Sequence, residues 1–197
     1  FPDFYFSIEG VKVDGIDEFE GVQLINIREI DLVVDLMSVI KGESINVKTI
    51  SIIKPVINTV VLANGSANYD IAKADSTSVN QAEDSDAPTA FKMELQQIEI
   101  VDGMITYNDA TFPMSLDIVD LDLNLKGDLT ENITNLDVMG EVQQFSVIYD
   151  GIQYMNQANV LLDMILELNL EEAKYTFKEN EFRVNEMGLG FDGWLAM

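Results

Sequence analysis

The chain has 197 residues, 47% of them hydrophobic, and 35 acidic against 11 basic side chains give a formal net charge of −24. That balance argues against nucleic acid and anionic headgroups as partners, because both need basic patches. Cysteine and histidine are absent, which removes disulfides, thiolate nucleophiles, histidine triads and His/Cys zinc sites together.

In chain order, "DGIDEFEG" (14–21) clusters Asp14, Asp17, Glu18 and Glu20 and reads as an acidic surface turn. "QLINIREIDLVVDL" (23–36) and "INVKTISIIKPVINTVVL" (45–62) read as strands, with one helical turn between them at "MSVIKG" (37–42). Pro55 interrupts the second strand and donates no ladder hydrogen bond, so it calls for a bulge or an edge. Asn64-Gly65-Ser66 marks a turn, and "ANYDIAKA" (67–74) fits a short helix. Residues 75–90 hold four acids and no base and read as a flexible loop.

"IVDGMI" (100–105) fits either an Asp-Gly hairpin or a strand passing through a bulge at Asp102-Gly103. In "SLDIVDLDLNLKGDL", Leu116 and Ile118 share one parity, while Leu121, Leu123 and Leu125 share the other. A β-bulge near Ile118–Val119 would restore one apolar face. "YDGIQY" (149–154) and "FKENEF" (177–182) fit hairpins. Between them "ANVLLDMILELNLEE" is a long amphipathic strand, with Ala158, Val160, Leu162, Met164, Leu166, Leu168 and Leu170 on one side. Trp194 fits a strand anchor. Asp120, Asp122 and Asn124 have the spacing that opens a calcium loop, but the glycine that such a loop needs at its sixth place is Leu125.

Two repeats run through these strands. Ile50-Ser-Ile52-Ile53-Lys-Pro55-Val-Ile57 aligns at an offset of 48 with Ile98-Glu-Ile100-Val101-Asp-Gly103-Met-Ile105, so Pro55 lies over Gly103. Ile27–Leu32, Ile118–Leu123 and Val184–Leu189 share a short strand pattern with a parity change at an acidic residue. The fold expected is mainly β: a long, twisted antiparallel sheet of repeated strand units with one or two short helices, forming one domain over 1–197.

The arrangement resembles the AsmA-like family of bacterial envelope proteins. That resemblance is carried by the "vDl-x-sLl-x-G" turn at Val34–Gly42, by "I-x-x-P-x-I" at Ile52–Ile57 and by "nGsaNyd" at Asn64–Asp70. It continues through "IEIVDGMITYNDAT" (98–111) and "LDLNLKGDLTENIT" (121–134), and so covers about residues 20–130. Pro55, Gly65, Asn68, Asp102 and Gly103 are its structural markers. The resemblance implies a non-enzymatic, periplasm-facing protein of the envelope, held to the inner membrane by a segment outside this excerpt of a longer chain. It also implies lipid binding or transfer, or outer-membrane assembly, on a curved sheet whose apolar groove takes phospholipid acyl chains. Leu121, Leu123, Leu125, Val160, Leu162, Met164, Leu166 and Leu168 are the candidate groove residues. A closed sandwich core is the alternative use of the same side chains. No cofactor, metal or catalytic residue is expected, and the chain is expected to be monomeric. A structural or protein-interaction module is the main rival function, and a carbohydrate-binding β-protein a lesser one.

Overall fold

A computed structural model describes residues 3–41, 46–71, 95–128 and 133–196. Among these, β1 (Asp3–Asp14), β2 (Gln23–Asp35), β3 (Val47–Val61), β4 (Gln97–Asp109), β5 (Met114–Lys126), β6 (Ile133–Tyr149), β7 (Ile152–Asn169), β8 (Lys174–Val184), β9 (Met187–Leu189) and β10 (Gly193–Ala196) form one sheet. Its order is β1-β2-β3-β4-β5-β6-β7-β8-β10, with β9 also on β8. From β1 to β8, neighbours in sequence are therefore neighbours in space. The 75–90 loop lies outside the described residues.

The sheet is antiparallel at each of these pairings except β3–β4, which is parallel. The expectation of a wholly antiparallel sheet is corrected at that pair. Every β3–β4 partnership, from Thr49↔Gln97 to Val61↔Asp109, differs by the same number of residues as the internal repeat. The repeat is thus a statement of register: Ile50, Ile52 and Ile57 lie beside Ile98, Ile100 and Ile105. A parallel partner needs a long crossover, which the chain between Val61 and Gln97 supplies.

Side chains alternate strictly along a strand, so a change of parity must be absorbed by the backbone. It is absorbed at left-handed residues near the middle of several strands: Gly10 in β1, Lys54 in β3, Asp102 in β4 and Asp120 in β5. Lys54 and Asp102 lie side by side in the register, and their side chains pair at 3.3 Å. Asp102 also donates its backbone N–H to Asp122 Oδ1 at 3.0 Å, which satisfies a group displaced from the ladder. Pro55 follows Lys54, is buried, and stands opposite Ile27 in the interior of the sheet. The proline belongs to a bulge and not to an edge.

Other local expectations meet mixed outcomes. The bulge expected near Ile118–Val119 centres on Asp120. "IVDGMI" is strand passage and not a hairpin, whereas "YDGIQY" is a hairpin with both Asp150 and Gly151 left-handed, as a two-residue I′ turn requires. "FKENEF" runs inside β8 and is corrected from hairpin to bulge at left-handed Glu179, where the β7–β8 register shifts. Val184–Leu189 is a hairpin joining β8 to β9 and not a third strand of the repeated type. The helix after Leu36 is present as α1 (Leu36–Lys41). It starts on Asp35, whose Oδ1 accepts the N–H groups of Met37 (2.8 Å) and Ser38 (3.0 Å). The helix expected near Tyr69 is instead a turn held by a bridge between Val61 and Ala67. The acidic stretch 14–21 forms a 3₁₀ turn over Asp17–Phe19, and Phe19 is buried beneath it.

Asp102→Val should destabilise the sheet by about 1–2 kcal/mol, because a β-branched residue is strained in the left-handed region. Asp102→Asn should stay close to the parent. Urea unfolding of the two variants checks the pair of outcomes.

Candidate functional site

Residues opposite one another on paired strands share a face. One row therefore reads Phe6, Leu32, Ile50, Ile98, Leu125, Val138, Met164 from β1 to β7. The next reads Ile8, Ile30, Ile52, Ile100, Leu123, Gly140, Leu162, Phe182, Leu189. Beyond the bulges the same face continues as Gly103, Leu121, Val142, Val160, Val184, Met187, and then as Val13, Ile25, Ile57, Ile105, Ile118, Phe145, Ala158. No position in these rows is charged. All eight groove candidates stand on this face: Leu121, Leu123, Leu125, Val160, Leu162 and Met164 in the rows above, Leu166 between Leu136 and Phe177, and Leu168 between Thr134 and Tyr175.

Among the described residues no second sheet lies over either face. Even so the two faces differ sharply in exposure. On β6, Leu136 and Val138 are 3% and 6% exposed, whereas Met139 on the other face is 58% exposed. The cover comes from the same sheet. Leu123, Leu125, Leu162, Leu166, Leu168 and Phe177 pack on the cluster of Leu136, Val138 and Met164. A second cluster, Val34, Val47 and Leu95, gathers Leu32, Ile50 and Ile98. Lateral packing of this kind needs a sheet that curls toward its apolar side. Gly140 sits in the curl: a Cβ there would meet Leu123 Cδ1 at 3.4 Å and Leu162 Cβ at 3.7 Å, ordinary contact distances. The leucines on either side close over the missing side chain. Toward β1 the face opens, and Phe4, Phe6 and Ile8 are exposed.

The opposite face is mixed: Glu29, Asp31, Glu99, Asn124, Asp163 and Glu181 stand there beside Ile53, Val56, Val101, Met104, Met139 and Leu161. A shallow hollow of about 350 Å³ opens there between Glu99, Asp122, Glu141 and Asp163, with Ile100, Leu123, Gly140 and Leu162 as its floor. Two of the groove candidates, Leu123 and Leu162, line this hollow, and the other six do not. Lys178 pairs with Glu167 at 2.7 Å and holds its carboxyl below the usual range. Lys48 ties Asp3 on β1 (2.7 Å) to Asp35 (3.4 Å), and the contact with Asp3 raises its own pKa. Asp122 is spent on the Asp102 backbone, and no three His, Cys, Asp or Glu side chains among the described residues converge as a metal site. Nor is any described helix long and apolar enough to cross a membrane.

The structural markers serve the sheet. Asn68 is 1% exposed; its Oδ1 accepts the Val60 N–H (2.9 Å) and its Nδ2 donates to the Asn58 carbonyl (2.7 Å). β2 pairs with β3 only as far as Ile57, so this amide takes the place of a strand where the ladder runs out. Gly65 is left-handed in the turn that returns Asn68 to β3. Pro55, Asp102 and Gly103 form the bulge. Sequence reasoning did not single out Asp109. Its Oδ1 accepts Thr111 Oγ1 (2.7 Å) and the N–H groups of Thr111 (2.8 Å) and Phe112 (3.0 Å), while Tyr107 donates to Oδ2 (2.7 Å). These bonds, the Thr111 hydroxyl first among them, lower its pKa to about 2 and fix the β4–β5 hairpin tip. The signal was available as "YNDATF", an Asx turn ahead of a threonine.

Asn68→Ala should cost about 1–3 kcal/mol, since it strands a buried N–H and a buried carbonyl on β3. Thermal or urea unfolding measures the loss. Asp109 has a depressed pKa in the folded state, so its contribution is full above the ordinary carboxylate value near 4 and fades as pH falls toward 2. Amide exchange at Thr111 and Phe112 should accelerate across that window, and Asp109→Asn should remove the pH dependence there.

No family model matches the chain, and neither does any curated protein or solved structure.

Proposed function

We propose that the apolar face binds phospholipid acyl chains, and that the protein carries or shelters lipid in the bacterial envelope without catalysing a reaction. One observation carries this reading: among the described residues the sheet is a single layer and presents uncharged rows many strands wide, in a chain where 23% of residues are charged. A face of that kind has to be covered by something apolar. Acyl chains lying on it would leave headgroups in water, and each methylene removed from water contributes about 0.8 kcal/mol. The acidic residues are concentrated on the other face and at the strand ends, where they keep the sheet soluble and discourage stacking of copies. The resemblance to AsmA-like proteins supports the same role on the periplasmic side of the inner membrane. A protein-interaction module is the second reading. It is favoured by β1, an edge strand whose Phe4, Phe6 and Ile8 are all exposed.

Purified under native conditions and extracted with solvent, the protein should release phospholipid in about stoichiometric amount, read by mass spectrometry. Leu162→Asp with Leu166→Asp should abolish it. Ile8→Glu, at an exposed position that does not threaten folding, should reduce it. A folded, lipid-free protein that takes up no fluorescent lipid would overturn the lipid reading and favour the interaction module.

A further inference from the structure

We infer that the sheet end built from the β4–β5 and β6–β7 hairpin tips docks on zwitterionic phospholipid headgroups, those ending in an ammonium group. The inference builds on the lipid reading of the apolar face. The two tips form one surface, because Asp150 donates its N–H to the Pro113 carbonyl at 2.8 Å. Hairpin tips are ordinarily polar. Here Phe112, Ile152 and Tyr154 are 53%, 57% and 63% exposed, next to Pro113. Tyr149 joins the rings: its centroid lies 4.8 Å from that of Phe112 and 6.5 Å from that of Tyr154.

The charges around these rings have one sign. Asp109 and Asp150 stand at the tips, and residues 58–71, 105–117 and 145–157, which make up this end of β3 to β7, contain no Lys or Arg. Ring faces and carboxylates attract an ammonium or quaternary ammonium group. A bare phosphate or an anionic headgroup finds no cation here and meets repulsion. A protein partner is disfavoured by area: stable interfaces bury about 800 Å² per side, more than four exposed side chains on two narrow tips supply. The site is also continuous with the apolar face. Met114, Tyr149 and Ile152 are in register, and the row behind them pairs Leu116 with Val147. A lipid held at the tip by its headgroup would have its chains aimed along the uncharged rows.

The test is flotation of the intact chain with vesicles of phosphatidylcholine, of phosphatidylglycerol, and of mixtures. Binding should be strongest to pure phosphatidylcholine and fall as the anionic fraction rises. Phe112→Ser with Tyr154→Ser should weaken it at least tenfold while leaving the melting temperature unchanged, and Tyr154→Phe should retain it. Uptake of a soluble short-chain fluorescent phosphatidylcholine, which needs the face but not the tip, should survive the double substitution. Equal vesicle binding by parent and double variant, or equal binding to the two pure lipids, would overturn the docking inference while leaving the lipid reading standing. Vesicle binding that needs the tip, without any uptake of the soluble lipid, would support docking and overturn the lipid reading of the face.

Discussion

Everything in this sheet depends on side-chain phase. A strand's side chains alternate with a period of two, and a slip of one residue would turn the apolar set outward. Strands of 11 to 18 residues carry sequences that change parity partway along. Left alone, each would be apolar on one face for half its length and on the other for the rest. Single left-handed residues correct this, and Lys54 and Asp102 do so at matched positions, so the β3–β4 register is undisturbed, whereas the β4–β5 register shifts on either side of Gly103. Aspartate recurs at these positions because its short polar side chain tolerates the left-handed region and can reach a neighbouring backbone group.

Phase coherence has an energetic consequence. Among the described residues no second layer covers the apolar face, so its core is lateral: leucines on adjacent strands touch one another across the curl. Burial is accordingly deep in two lateral clusters, around Leu136, Val138 and Met164 and around Val34, Val47 and Leu95, and shallow at β1. The opposite face adds exposed ion pairs such as Lys54 with Asp102, which contribute little individually. Buried amides such as Asn68 matter more, because they complete a ladder that would otherwise end with unpaired groups.

Much of this was legible in the sequence. Alternation marked β2, β3, β5 and β7 but did not single out β1 or β6, and the parity break in β5 marked its bulge to within two residues, at Asp120. The groove candidates fall on one face because period two is enough to say which residues share it. The direction of the β3–β4 pair was not legible, since parallel and antiparallel neighbours show the same alternation. The offset of the repeat held that information, but only the register reveals that the two copies lie side by side. "FKENEF" misled because a polar run with a left-handed residue fits a turn and a bulge equally well. Asn68 reads as a turn residue in sequence, and its burial follows from where β2 stops. The aromatic tips were invisible for a similar reason: Phe112 and Tyr154 are 42 positions apart and are linked only through Tyr149, by the pairing of β5 with β6 and of β6 with β7.

The identity between repeat offset and β3–β4 register makes the sheet modular in width. A block of one repeat length, inserted at that boundary, would bring its own bulge at the matching height and its own stretch of uncharged face. Hydrogen bonding, phase and curl would pass through the insertion unchanged. The span of the surface is thus a quantity the sequence can alter in whole steps, independently of the chemistry the surface presents.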